Sequence, residues 1–154
     1  MEINIEPAYR KLKTVRLLFE EYREMLSVDL GFQDYAGELA ELPGKYAPPG
    51  GGLYLAFADG KPAGCGAFRR YTQEICELKR LYVRPEFRGA GIATRLISTI
   101  LSQARAAGYQ KIYLDTLGTL ESAFCLYQRL GFQEIPPYYD NPIPGARYFC
   151  MQLL

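Results

Sequence analysis

Histidine is absent from this chain. That removes the Ser-His-Asp and Cys-His arrangements of nucleophilic catalysis and nearly all catalytic zinc sites. Any proton transfer falls to Glu, Asp, Tyr, Cys, Lys or water. Charge of one sign is also lacking. The formal net charge is +1, so no overall field draws nucleic acid, and a bound anion must be held locally. No C-x-x-C pair occurs among Cys65, Cys76, Cys125 and Cys150. Each lies in an apolar or strand-like stretch, which reads as free thiols packed in a reduced interior. No apolar run approaches the length that crosses a bilayer. Met1 to Glu6 has neither the basic start nor the long apolar stretch of a secretory leader. The expectation is a cytoplasmic protein with no membrane partner, no nucleic-acid partner and no metal.

What is present suits one globular domain over residues 1–154. The chain has 154 residues, 49% hydrophobic and 23% charged. At this length folding buries roughly 70% of the unfolded surface, so no disulfide is needed. Ile3 and Ile5 alternate with polar residues up to Pro7, a short strand. Leu12, Val15, Leu18, Tyr22 and Met25 recur at helical spacing over Lys11 to Ser27, with Gly31 as terminator. A second short helix is expected over Tyr35 to Leu42. Pro43 to Gly52 is a loop, Leu53 to Ala58 a strand, and Asp59-Gly60 a hairpin turn into Pro62 to Arg70. Gln73 to Val83 reads as a strand ended by Arg84-Pro85. A long amphipathic helix is expected from about Gly89 to Ala107, capped by Gly108, with Ile92, Leu96, Ile97, Ile100 and Leu101 on its apolar stripe. Lys111 to Asp115 is a strand. A helix from an N-cap at Thr119 ends at Gly131, and Arg147 to Leu154 is a last strand. Hairpins followed by strand-helix-strand-helix-strand predict an α/β (α+β) layer, a central sheet with helices packed on it.

The segment Val83 to Thr94 carries the chemistry. A strand ends, a turn with Arg88, Gly89 and Gly91 follows, and a helix begins. Glycines there leave backbone N–H groups uncovered. The first N–H groups of a helix have no internal partner, and the helix dipole adds partial positive charge. Together these make a phosphate cradle, with Arg88 beside it. A P-loop is excluded because no Gly-Lys-Ser/Thr follows. A dinucleotide fingerprint is disfavoured because Thr94 stands where its third glycine belongs.

Arg88-Gly-Ala-Gly91-Ile-Ala93 matches Arg/Gln-x-x-Gly-x-Gly/Ala, and in this it resembles the GNAT-type N-acetyltransferases. Leu81-Tyr-Val-Arg-Pro85 before it, and Ala123 to Phe132 with Tyr127 after it, resemble further motifs of that family. Leu120 departs from the pattern, since many members carry Asn there. The resemblance implies a mixed, largely antiparallel sheet of about seven strands, splayed at a cofactor cleft, with about four helices. It implies acetyl-CoA as cosubstrate. Leu81, Tyr82 and Val83 would hold its pantetheine arm. Arg88, Gly89, Ala90, Gly91, Ile92, Ala93 and Thr94 would hold its pyrophosphate.

It also implies direct acetyl transfer to a primary amine of a small molecule, amino acid or peptide. Tyr127 matches the family tyrosine near the coenzyme sulfur, and a phenol of pKa about 10 can donate a proton at neutral pH. The alternative is a core tyrosine, since Leu120, Ala123, Phe124 and Tyr127 share one helix face. Glu77 matches a position where several members place a general base. On a regular strand Glu77, Lys79, Leu81 and Val83 share one side unless a bulge intervenes. The alternative is a solvated glutamate paired with Lys79 or Arg80. The variable acceptor half falls on Asp29 to Tyr35, Pro43 to Gly52 and Pro136 to Gly145. Tyr138, Tyr139, Asp140 and Asn141 could meet a polar amine, and Arg69 or Arg80 a carboxylate. A homodimer is plausible for a domain of this size. A non-catalytic acyl-CoA-binding sensor is the competing function.

Overall fold

A computed structural model describes residues 1–26, 34–117 and 121–154. Gly31, Thr119, Leu120 and most of Asp29 to Tyr35 lie outside the described residues. The elements run β1 (Ile3–Pro7), α1 (Leu12–Leu26), α2 (Tyr35–Ala40), β2 (Gly52–Ala58), β3 (Lys61–Arg70), β4 (Ile75–Val83), α3 (Ile92–Ala106), β5 (Lys111–Leu117), α4 (Glu121–Arg129), β6 (Gln133–Ile135) and β7 (Ala146–Gln152). The strands form one sheet in the order β1-β2-β3-β4-β5-β7-β6. Every neighbouring pair is antiparallel except β4 with β5. Seven strands and four α-helices among the described residues agree with the expected fold class.

The sheet is covered on both faces, which explains the unbroken apolar run of β2. Tyr54, Ala56 and Ala58 point into the core under α3, with Leu96, Ile97 and Ile100. Leu53, Leu55 and Phe57 point into the opposite core, with Val15, Leu18 and Phe19 of α1. All of β2 is buried. Each fully buried Leu, Ile or Phe contributes roughly 1.5–3 kcal/mol, against about 0–1 kcal/mol for an exposed ion pair such as Arg23–Glu20. The apolar stripes therefore dock the helices, and the surface charges do not.

Three expectations are corrected. The long helix begins at Ile92, not Gly89, because Gly89 and Gly91 take φ values of 84° and 78°, incompatible with a right-handed helix. A short strand absent from the periodicity, β6, pairs with β7. At three residues, with the burial pattern exposed, exposed, intermediate, it carries no apolar alternation to detect. Only Cys65 and Cys76 are buried. Cys125 is exposed on α4 and Cys150 is intermediate, although all four thiols are free.

Two irregularities in β4 create the site. The first is a bulge. Cys65 pairs with Tyr82 and Ala67 with Lys79, so Arg80 and Leu81 together oppose Gly66. Arg80 takes φ 59°, a left-handed conformation costing a side-chain-bearing residue roughly 1–2 kcal/mol. Compensation comes from its guanidinium, which makes two 2.9 Å hydrogen bonds to Glu38 and lies 4.8 Å from the ring of Tyr35. The bulge flips the alternation. Leu78, Leu81 and Val83 pack with the α3 core, while Tyr82 packs with the α1 core. Glu77 and Lys79 thus do not share a side with Leu81 and Val83. The second irregularity is a split. β4 and β5 pair only over Ile75–Glu77 and Lys111–Tyr113, although both strands continue. Beyond Glu77 the β5-facing edge of β4 has no strand partner.

Candidate active site

The split opens a cleft of about 520 Å³ between β4, β5, α1, α3 and α4. Ten of the twelve residues expected at the site line it: Tyr127, Leu81, Tyr82, Val83, Arg88, Gly89, Gly91, Ile92, Ala93 and Thr94. Ala90 and Glu77 are not among the lining residues.

At one end, main chain does the work. The first backbone N–H of α3 to find an acceptor is Arg95, which donates to the Gly91 carbonyl at 3.1 Å. Among the described residues, the six N–H groups from Gly89 to Thr94 have no acceptor within the chain. A methyl group placed on Gly89 or Gly91 would meet nothing within 4 Å. The turn is therefore an open row of donors at a helix start, in the helix field that favours an anion. Arg88 stands beside it. Its Nε donates to the Val83 carbonyl at 3.0 Å and its Nη2 to Met25 Sδ at 3.3 Å. The residues present fit a diphosphate.

In the middle stands Tyr127. It is 5% exposed, and its ring packs edge-on to Phe132 at 5.6 Å and tilted against Phe149 at 6.1 Å. Burial pushes its phenol well above the ordinary value, with distant carboxylate and phenol charges adding to the shift. The hydroxyl therefore remains protonated at neutral pH. Core packing and a place on the cleft wall coexist, since the residue belongs to both the α3 core and the lining.

At the other end the walls are charged side chains. Lys79, 5% exposed, reaches Asp115 Oδ1 at 3.5 Å. Asp115 Oδ2 accepts from the Tyr139 hydroxyl at 2.5 Å and from Asn141 Nδ2 at 3.3 Å. Burial holds the Lys79 ammonium below its usual pKa, partly opposed by Asp115 and Glu77. Arg80 remains charged: burial works against it, but Glu38 outweighs that. Glu77 sits behind this wall, 4% exposed. It is neither solvated nor paired with Lys79 or Arg80. Its carboxylate accepts from Arg69 Nε at 3.2 Å and from the Tyr138 hydroxyl at 2.7 Å. Loop 136–145 thus reaches the cleft through Asn141 and Ile143, and its two tyrosines clamp the two carboxylates behind it. Sequence reasoning missed Asp115 and, as a cleft residue, Lys79. The only available signal was a charge pair on adjacent parallel strands, which becomes meaningful once the strands are known to part.

The chain matches the acetyltransferase (GNAT) family over residues 12–132. An uncharacterized N-acetyltransferase of Schizosaccharomyces pombe is 39% identical over 144 residues, covering 92% of this chain and 88% of the relative. A GNAT-family acetyltransferase structure from Staphylococcus aureus superposes with a TM-score of 0.82 at 22% identity, covering 99% of this chain and all of the other. The fold is shared as well with an N-acetyltransferase from Thermoplasma acidophilum in complex with coenzyme A, at a TM-score of 0.75 and 18% identity, over 99% of both chains. The chain belongs to the acetyltransferase (GNAT) family, and is an acetyl-CoA-dependent acyltransferase. Among the described residues no helix is long and apolar enough to cross a membrane.

Proposed function

We propose that this enzyme is an N-acetyltransferase that moves the acetyl group of acetyl-CoA directly to a primary amine. The observation that carries the reading is the unpartnered donor row from Gly89 to Thr94, opening onto a cleft between two parted strands. The row holds the pyrophosphate, and the free edge of β4 at Leu81 and Val83 meets the pantetheine amides. On this reading the thioester lies deeper, beside Tyr127. The four unpaired thiols support a cytoplasmic location.

The amine nitrogen attacks the thioester carbon, the new C–N bond forms, and the C–S bond breaks. Tyr127, held neutral by burial, donates its proton to the departing sulfur and regains one, through water, from the nitrogen that becomes the amide. A main-chain N–H on the unpaired edge of β4 is the donor for the carbonyl oxygen. The amine's surplus proton leaves by a relay of water and the Tyr138 hydroxyl toward Glu77, which Tyr138 already contacts. Glu77 acts here at a distance and touches no substrate.

Two measurements test this. Calorimetric titration should show coenzyme A and acetyl-CoA binding, with NAD and ATP silent; binding of NAD alone overturns the reading. Tyr127→Phe should lower kcat by about 100-fold, the low end of general acid contributions, with acetyl-CoA affinity held within about twofold, since a phenyl ring preserves the packing. Unchanged turnover removes Tyr127 from the mechanism.

A further inference from the structure

Among the described residues, the cleft wall carries a buried amine, Lys79, whose one ionic contact is loose. Among the charged groups around Lys79, Arg80 is paired in a two-pronged bond to Glu38. Arg69 is engaged by Glu77, which Tyr138 also holds. Among the described residues, Lys79 has a single charged partner, Asp115 Oδ1, at a loose 3.5 Å. Asp115 in turn is anchored on its far oxygen by Tyr139 and Asn141, so it steers the ammonium without closing on it. An ammonium carries three N–H donors, and those Asp115 does not take are turned to the open cleft, where water or a ligand meets them. The side chain lies on the cleft wall at 5% exposure. Among the described residues, the charged groups lining the cleft as a whole are Lys79, Arg80, Arg88, Arg129 and Asp115, four basic residues to one carboxylate. Lys79 lies four residues back along β4 from Val83, on the order of 10 Å from where the strand runs out toward the phosphate cradle. It also faces the opposite side of the sheet from Leu81 and Val83. Coenzyme phosphates held at Gly89 to Thr94 leave it unanswered.

We propose that Lys79 is a specificity-determining residue that receives a carboxylate on the acceptor, so that the acceptors of this enzyme are amino acids and not simple amines. This rests on the acetyl-transfer reading above. The carboxylate bonds to the free N–H groups of Lys79, and Asp115, fixed by the 136–145 loop, keeps the ammonium aimed into the cleft. The amine is thereby turned toward the thioester beside Tyr127, and no covalent bond to the enzyme is involved.

The test uses free α-amino acids, each matched with its amide and its decarboxylated amine. Each is assayed with acetyl-CoA for thiol release, and by saturation-transfer NMR with coenzyme A bound. Amino acids should bind and be acetylated at least tenfold better in kcat/KM than either matched compound. Lys79→Met, neutral and of similar length, should erase that preference through KM, with coenzyme affinity unchanged. Lys79→Arg, which keeps the charge, should retain most of it. Amides or decarboxylated amines performing as well as the acids in either readout overturn the proposal, with no variant needed. So does a Lys79→Met enzyme that loses kcat equally on acid and amide, because Lys79 would then serve the chemical step. Failure of coenzyme A to bind the wild-type protein sinks the acetyl-transfer reading. Coenzyme binding with acetylation of decarboxylated amines sinks only the carboxylate assignment.

Discussion

The two ends of the cleft are made of different material. The proposed coenzyme end is main chain: two glycines, a helix start and, among the described residues, a strand edge with no strand partner. The acceptor end is side chain: Lys79, Arg80, Asp115, Glu77, Arg69 and three residues of the 136–145 loop, held by ion pairs and tyrosine hydroxyls. A main-chain site costs the fold little, because its donors would be unpaired at any helix start. A buried charged network is integral to the fold, because each ion removed from water must be met by another. Damage at the two ends should therefore be read out differently, in affinity at one and in stability at the other.

The largest expected effect lies at the charged end. Arg80→Ala strands Glu38 half-buried and removes the ion pair that holds the bulge. Breaking such a pair costs about 3–5 kcal/mol, a large share of the stability of a domain this size. Urea unfolding would measure it, and a loss below about 1 kcal/mol would break the contrast. The same pair sets an acid limit. Burial opposes the Glu38 charge, but Arg80 outweighs it and lowers the pKa below 4.5. Since the folded-state pKa is the depressed one, the pair's stabilisation is complete above pH 4.5 and lost as pH falls through the lower value. Glu38→Gln should flatten that part of the stability profile.

At the main-chain end the prediction inverts. Gly91→Val places a β-branched residue at φ 78°, where the backbone penalty is roughly 1–2 kcal/mol. Its Cβ would meet no neighbour within 4 Å. The turn should relax out of its conformation and misdirect the donor row. Losing two charge-assisted hydrogen bonds at roughly 1.5–3 kcal/mol each weakens coenzyme affinity by at least about 100-fold. The melting temperature should fall by only a few degrees. Calorimetry and thermal unfolding on one sample decide it. A protein that keeps its affinity would show that the N–H groups of this turn do not hold the phosphates.

The same division explains what could be read before the structure was known. Gly89 and Gly91 point to the proposed coenzyme end because their spacing, after an apolar strand and before an amphipathic stripe, suits an open row of main-chain donors at a helix start. The elements themselves were legible because Leu96, Ile97 and Ile100 recur at helical spacing on one buried face, while Leu53 to Ala58 form a short apolar run bounded by turn residues. The acceptor end was hidden for a physical reason. Arg80 in a left-handed conformation turns the strand by one residue, and the residue type most associated with such a φ is glycine, not arginine. Simple alternation then assigns Glu77 and Lys79 to the side of Leu81. The Lys79–Asp115 contact joins residues 36 apart, and Tyr138–Glu77 residues 61 apart. No local period encodes either.

The smallest effect is expected at Glu77, and it is the one that sharpens the contrast. Glu77 belongs to the charged network through Arg69 and Tyr138, yet it sits behind the cleft wall and not in it. Glu77→Gln keeps an acceptor for Tyr138 and the shape of the side chain, so packing survives. Its removal leaves the Arg69 guanidinium, which is partly exposed, to be met by water. If the carboxylate is the final sink for the amine's proton, kcat should fall about tenfold with KM for the acceptor held. If Glu77 serves only as a strut for the loop, kcat should hold and the cost should appear in KM for the acceptor, through a loosened Tyr138 and its neighbour Tyr139. Steady-state rates of both proteins over a range of acceptor concentrations separate a proton acceptor from a structural tie in a residue whose position alone supports either.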